Sequence, residues 1–140
     1  LTGDAQPRLL PLKDDKTPYR FLVVDDSDFM LQNLERIFHS FGAEIAGKAH
    51  DGQEAVSVYK GLFPHVDVVT MDITMPKMNG IEALQAIRAF DPHARVVMVS
   101  ALGHADVIKD AVLKGAKHFI VKPFQREKVY TTLLAILSKR

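Results

Sequence analysis

The sequence predicts a doubly wound α/β fold: five parallel strands covered on both faces by five helices. Two observations lead there. From Tyr19 onward, short apolar runs alternate five times with longer stretches of helical periodicity, the pattern of repeated βα units. The short runs are apolar at nearly every position instead of every second one, as strands buried on both faces require. A chain of 140 residues, 47% hydrophobic and 25% charged, is large enough for one such core.

The elements follow in order. "RFLVVDD" predicts the first strand; behind it Met30, Leu34, Ile37, Phe38 and Phe41 recur at helical spacing, with Gly42 as the stop. "AEIAGKA" predicts the second strand and "GQEAVSVYKGLF" the second helix, with Ala55, Val56, Tyr59 and Leu62 on one side. "VDVVTM" is the third strand, and Ile81, Leu84, Ile87 and Phe90 mark the next helix. "RVVMVS" is the fourth, followed by a helix through Val107, Ile108, Ala111 and Val112. "HFIV" is the fifth, and Val129, Leu133, Ile136 and Leu137 make the closing helix. Residues 1–18 hold Pro7, Pro11, Pro18 and the charged "KDDK", and read as a flexible N-terminal lead to a domain over 19–140.

Composition narrows the function classes. A net charge of +1 gives no general basic field for nucleic acid. Without cysteine there is no disulfide, thiolate nucleophile or thiolate metal site, which fits the cytoplasm. No apolar run has the length to cross a bilayer, and "LTGDAQPRLL" lacks the basic start and apolar core of a signal peptide. The first residue is Leu rather than Met, as in a chain trimmed from a longer one.

The polar residues fall where each strand ends. The first closes on Asp25-Asp26, the third on Asp72, the fourth on Ser100 and the fifth on Lys122-Pro123; the second, near Ala49-His50, offers nothing comparable. In an open parallel sheet, ligands bind beyond the carboxyl ends of the strands, where strand order reverses. In the order 2-1-3-4-5, strands one and three are neighbours, so Asp25, Asp26 and Asp72 converge. Three clustered carboxylates repel unless a cation sits among them. Mg²⁺ suits an all-oxygen set with waters and a phosphate oxygen, whereas His50 and His65 stand at no convincing ligand spacing. The competing reading, that Asp25, Asp26 and Asp28 merely start the next helix, leaves Asp72, Ser100 and Lys122 unexplained. A metal, an ammonium and a hydroxyl around one carboxylate are what a phosphoryl group bound to it needs. Asp72 is therefore the expected nucleophile. A cis Lys122-Pro123 bond is expected to aim the lysine into the site.

At these residues the sequence resembles the receiver domains of bacterial two-component response regulators, from about Arg20 to Arg140. "VVDDS", "MDITMPKMNG", "VSA" and "FIVKPF" are similar to that family's acidic pair, phosphoacceptor loop, switch hydroxyl and lysine-proline motif, in order and register. The resemblance implies a flavodoxin-like, CheY-like fold, with 19–140 as the receiver domain. It implies phosphorylation of Asp72 by a histidine kinase, and Mg²⁺ held by Asp26, Asp72 and the backbone carbonyl of Thr74, with Asp25 acting mostly through water. Ser100 would swing toward the phosphoryl group and Phe119 would follow it inward as the switch aromatic. The docking face would be the fourth helix, fifth strand and fifth helix, including Lys109, Lys117, Phe119, Lys122 and Lys128. One departure is Phe119 itself: many chemotaxis members carry Tyr there, and Phe has no hydroxyl to report its position.

The details "DDSDFM" and "MDITMPKMNGI" look most like the chemotaxis branch, implying a stand-alone monomer that docks the flagellar motor switch and meets a phosphatase, with no nucleic-acid partner and no membrane insertion. It would be no enzyme in the ordinary sense, catalysing only its own aspartyl phosphorylation and dephosphorylation. Thr74 and Leu102 flank the site and should tune the phosphate lifetime through access of water. The alternatives are a phosphorelay intermediate or the receiver of a larger regulator, which share every motif. A Mg²⁺-dependent aspartyl phosphatase of the haloacid-dehalogenase type would want a second acid two residues after the nucleophile, where this chain has Thr74. A flavin-binding module would want a Ser/Thr/Gly-rich phosphate loop instead of acids, and a phosphorylation-independent adapter would lack one of these residues. No G-x-x-x-x-G-K-[ST] loop is present for ATP as direct donor.

Overall fold

Strands form where β-branched and apolar residues cluster: β1 (Arg20–Val24), β2 (Glu44–Ala49), β3 (Val68–Met71), β4 (Val96–Ser100) and β5 (His118–Val121) in a computed structural model that describes residues 8–137. All pairings are parallel and the order is β2-β1-β3-β4-β5, as the sequence predicts. β1, β3 and β4 are central and almost wholly buried, while β2 and β5 are edges with exposed residues.

The crossovers are α1 (Asp28–Ser40), α2 (Gly52–Leu62), α3 (Gly80–Phe90), α4 (Ala105–Leu113) and α5 (Arg126–Leu137). Side chains satisfy orphan amides at the first three starts: Ser27 accepts from Met30 N, Asp51 from Glu54 N, and Asn79 forms a reciprocal capping box with Glu82. Phe41 caps α1 and Gly42 follows at φ 81°, the left-handed turn that favours glycine. α4 differs. His104 gives it no side-chain cap, and Ala111 is its one buried residue. Val112, expected on the inner face, is half exposed, because so short a helix turns its last residues away from the sheet.

Successive strand residues feed two cores. Phe21 and Val23 join Leu34, Phe38 and Leu133 under α1 and α5. Leu22 and Val24 join Tyr59, Leu84 and Ala111 under α2, α3 and α4. Phe21 stacks on Phe38 with ring centroids 4.4 Å apart, and burying each ring is worth about 3 kcal/mol.

Of the expected N-terminal lead, residues 1–7 lie outside the described residues, while 8–13 lie against the domain. Leu10 is 7% exposed, joins the core under α1 and α5, and donates its amide to Phe41 O at 3.0 Å. Leu9 O accepts from the Tyr130 hydroxyl, Arg8 pairs with Glu127 at 2.8 Å, and Lys13 pairs with Asp67 at 3.1 Å. Apolar burial plus anchors on α1, α5 and the entry to β3 fixes residues 8–13 despite the proline-rich composition.

Candidate functional site

Parallel pairing brings the strand ends to one edge. Asp25 N bonds Ala49 O at 3.1 Å, Asp72 N bonds Val24 O at 3.0 Å, and Lys122 N bonds Ser100 O at 2.9 Å, so the ladders run up to the functional residues themselves. Carboxylate oxygens of Asp25, Asp26 and Asp72 lie within 4.8 Å of one another. Asp25, Asp72 and Ser100 are buried while Asp26 faces solvent.

Lys122 reaches the same cluster from the end of β5, its Nζ 2.7 Å from Asp25 Oδ2 and 3.4 Å from Asp72 Oδ2. The Lys122-Pro123 bond is cis, as expected. Asp72 Oδ1 accepts from the Ile73 amide at 2.8 Å, and the Ser100 hydroxyl, which accepts from Leu102 N, lies close enough to favour the charged carboxylate. Asp25 Oδ1 accepts from Ser27 N at 2.9 Å. Burial pushes the Asp72 carboxyl above the ordinary carboxylate range and Asp25 adds to the push, against Lys122, Ile73 N–H and Ser100. Among the described residues Lys122 is the one cation paired with this cluster, which leaves three carboxylates against one ammonium. An all-oxygen set with two negative charges in excess fits a hard divalent cation such as Mg²⁺. Thr74, expected to lend its carbonyl, is exposed in the loop two residues beyond Asp72.

Two glycines shape that loop, and sequence reasoning missed them. Gly80 N bonds Ile73 O at 2.8 Å and Gly52 N bonds Met78 O at 2.9 Å, closing residues 72–80 on themselves and onto α2. A Cβ on Gly80 would overlap the Asp72 carbonyl oxygen, and one on Gly52 would sit 2.3 Å from Met78 O. Both obstacles are backbone. Gly80→Ala should therefore cost about 2 kcal/mol or more in chemical denaturation and displace the Asp72 backbone. Unchanged stability would mean that the loop yields freely.

His50, set aside in the sequence as a metal ligand, has a structural part that the sequence reading did not assign. At the end of β2, its Nε2 meets Asp28 Oδ1 at 2.9 Å and its Nδ1 meets Glu54 Oε1 at 3.3 Å, tying α1 to α2 beside the carboxylates. Asp28, then Glu54, raises the imidazole pKa above its ordinary value. The signal was available, since β2 ends on the same edge as the other strands. Phe119 is 8% exposed, already inside the core under α2, α3 and α4. Lys109 and Lys128 are exposed on α4 and α5, as are Val112, Leu113 and Val121 nearby. Lys117 sits elsewhere, at the amino end of β5, where its amide bonds Val96 O.

Residues 21–134 match the response regulator receiver domain family. The chain is 50% identical over 126 residues to the chemotaxis protein CheY of Treponema pallidum, covering 90% of this chain and 88% of that one. It is 47% identical over 120 residues to CheY of Bacillus subtilis, covering 86% and 98%. A crystal structure of a CheX–CheY–BeF3–Mg²⁺ complex from Borrelia burgdorferi superimposes with a TM-score of 0.89 at 48% identity, over 91% of this chain and 96% of that one.

Proposed function

Since the chain belongs to the response regulator receiver domain family, we propose that it is a chemotaxis regulator switched by phosphorylation of Asp72. The observation that carries this reading is the buried Asp72 carboxylate, held by Lys122, Ser100 and the Ile73 amide beside two further acids.

An Asp72 oxygen attacks phosphorus of a phosphohistidine on a kinase; the P–N bond breaks, its electron pair leaves with the imidazole, and an acyl phosphate remains. Asp25, Asp26, Asp72 and the Thr74 carbonyl would hold Mg²⁺, which when bound supplies charge neutralisation for the phosphoryl oxygens. Lys122 and the Ser100 hydroxyl take further oxygens of the group, and Phe119 holds the packing that follows Ser100. Water later attacks phosphorus, the P–O bond to Asp72 breaks, and the carboxylate returns. The protein is thus no enzyme toward a separate substrate. Its output is docking through α4, β5 and α5, where the exposed apolar residues and lysines suit a protein surface such as the flagellar motor switch. A phosphatase would reach the same phosphoryl group from the open side. On this reading the chain works as a cytoplasmic monomer; separately, no helix of the described residues is long and apolar enough to cross a membrane.

The test is incubation with Mg²⁺ and acetyl phosphate, read as intact mass, followed by a phosphorylated kinase and binding to the motor-switch protein. A labile adduct that transfers from the kinase and increases docking supports the proposal; docking indifferent to the adduct refutes the switch. Leu102 is partly exposed beside the site, its amide bonded to Ser100 Oγ at 3.2 Å. Leu102→Asn should change the dephosphorylation rate by roughly threefold or more without abolishing labelling. An unchanged lifetime would remove Leu102 from the control of water.

A further inference from the structure

The sheet has a second populated edge. Opposite the carboxylates, at the amino ends of β4 and β5, a cavity of about 600 Å³ opens between the α3–β4 turn and α5. Among the described residues that line it, five are basic, namely Arg88, His93, Arg95, Lys117 and His118, and none is acidic. In a chain with 18 basic and 17 acidic residues, such segregation concentrates one sign of charge in one concavity. No ion pair engages Arg88, Arg95 or Lys117 among the described residues. Asp91, at the end of α3, stands beside the cavity, where its Oδ1 accepts from the His93 amide at 3.0 Å and its Oδ2 from the Tyr59 hydroxyl at 2.6 Å. Asp14, Asp15 and Asp67 line the adjoining groove with Arg95, and Asp67 is paired with Lys13.

Two of the donors are set in place. Arg88 Nη1 bonds Pro92 O at 2.6 Å and Ala94 O at 3.1 Å, which leaves the donors on Nη2 and Nε outside those bonds. His118 Nδ1 is engaged by the Phe119 backbone, 3.0 Å from its N and 3.4 Å from its O, which leaves Nε2 outside those contacts. The remaining wall is apolar: Ile136, which is 8% exposed, with Ala135 and Pro92. The volume falls in the range of small-molecule sites, about 300–1,000 Å³, and exceeds what an inorganic anion fills.

We propose that this cavity binds a nucleoside diphosphate without a metal ion. Arg88, Arg95 and Lys117 meet the phosphates, His93 and His118 add hydrogen bonds, and Ile136, Ala135 and Pro92 form the surface on which the ring system lies. Arginine is suited to phosphate through its planar fork.

The experiment titrates ADP into the 140-residue chain in EDTA, which keeps Mg²⁺ from recruiting the nucleotide to the carboxylate edge. Binding is read by calorimetry and by amide NMR shifts. The expected result is shifts at Arg95, Lys117 and His118, with pyrophosphate binding more weakly than ADP. Arg95→Glu/Lys117→Glu should weaken binding at least tenfold, about 1.4 kcal/mol. Its melting temperature reports whether it folds; should it not, the milder Arg95→Gln should still weaken binding several-fold. The proposal is overturned by no shifts at millimolar ADP, by shifts centred on Asp26, Asp72 and Lys122, or by variants that fold and bind like the parent. Equal affinity for pyrophosphate would overturn the nucleotide assignment.

Discussion

Asp72→Asn should yield a protein that accepts no phosphoryl group and yet melts higher than its parent. The loss follows from chemistry: an amide oxygen does not form a stable acyl phosphate, and no other carboxylate in the cluster has the Lys122, Ser100 and Ile73 contacts that Asp72 has. The gain follows from the sign of the pKa shift. Burial holds the folded carboxyl above its unfolded value of 3.8. Asp72 therefore favours the fold only while protonated, and that contribution is lost as pH rises from the unfolded value through the folded one. At neutral pH the full cost of a buried charge is in place, and Asn removes it. Lys122 keeps its partner Asp25 at 2.7 Å. A gain on the order of 1 kcal/mol, roughly 4 °C in Tm, is expected without Mg²⁺. A variant that melts lower would mean that the Lys122 attraction outweighs burial. A variant that still takes up phosphate would move the acceptor elsewhere.

The opposite result is expected at Lys122. Lys122→Met keeps the length of the stem but strips the ammonium from Asp25, which is 1% exposed and then retains only the Ser27 amide. Removing one partner of a buried pair leaves an uncompensated charge, a loss of several kcal/mol when burial is complete. Lys122 is 17% exposed, so a loss of roughly 2–3 kcal/mol is expected in urea or guanidinium unfolding. Two checks separate charge from packing. Adding Asp25→Asn to Lys122→Met should restore most of the loss, and Mg²⁺ should stabilise the single variant more than it stabilises the parent. If neither rescues, the lysine stem is what matters and the electrostatic account fails.

The layout of the site was legible because a parallel sheet converts sequence position into spatial position. Asp25, Asp26, Asp72, Ser100 and Lys122 each end an apolar run, so the topology alone carries them to one edge. What escaped notice depends on contacts that no periodicity encodes. Gly52 and Gly80 matter for what a methyl group would strike, and that is the backbone of a distant loop. His50 looked idle because its partners, Asp28 and Glu54, come from two different helices. Leu10 was hidden by its neighbours: Leu9, Leu10 and Leu12 sit together among prolines and charges with no sustained period, and only the groove beside Phe41 singles out Leu10. Val112 matched helical spacing and still faces outward, since a helix with a single buried residue leaves spacing little to report.

Leu10 also bears on how this domain should be trimmed. The stretch matched to the family begins at residue 21, yet the plug of the α1–α5 core is supplied from eleven residues upstream. A shortened version starting at the family boundary would keep every residue of the carboxylate edge and lose the stopper at the far end. It would then present Phe41 and its neighbours to water as a sticky hole, and comparisons of affinity or melting made on such a fragment would describe a leakier molecule than the whole chain.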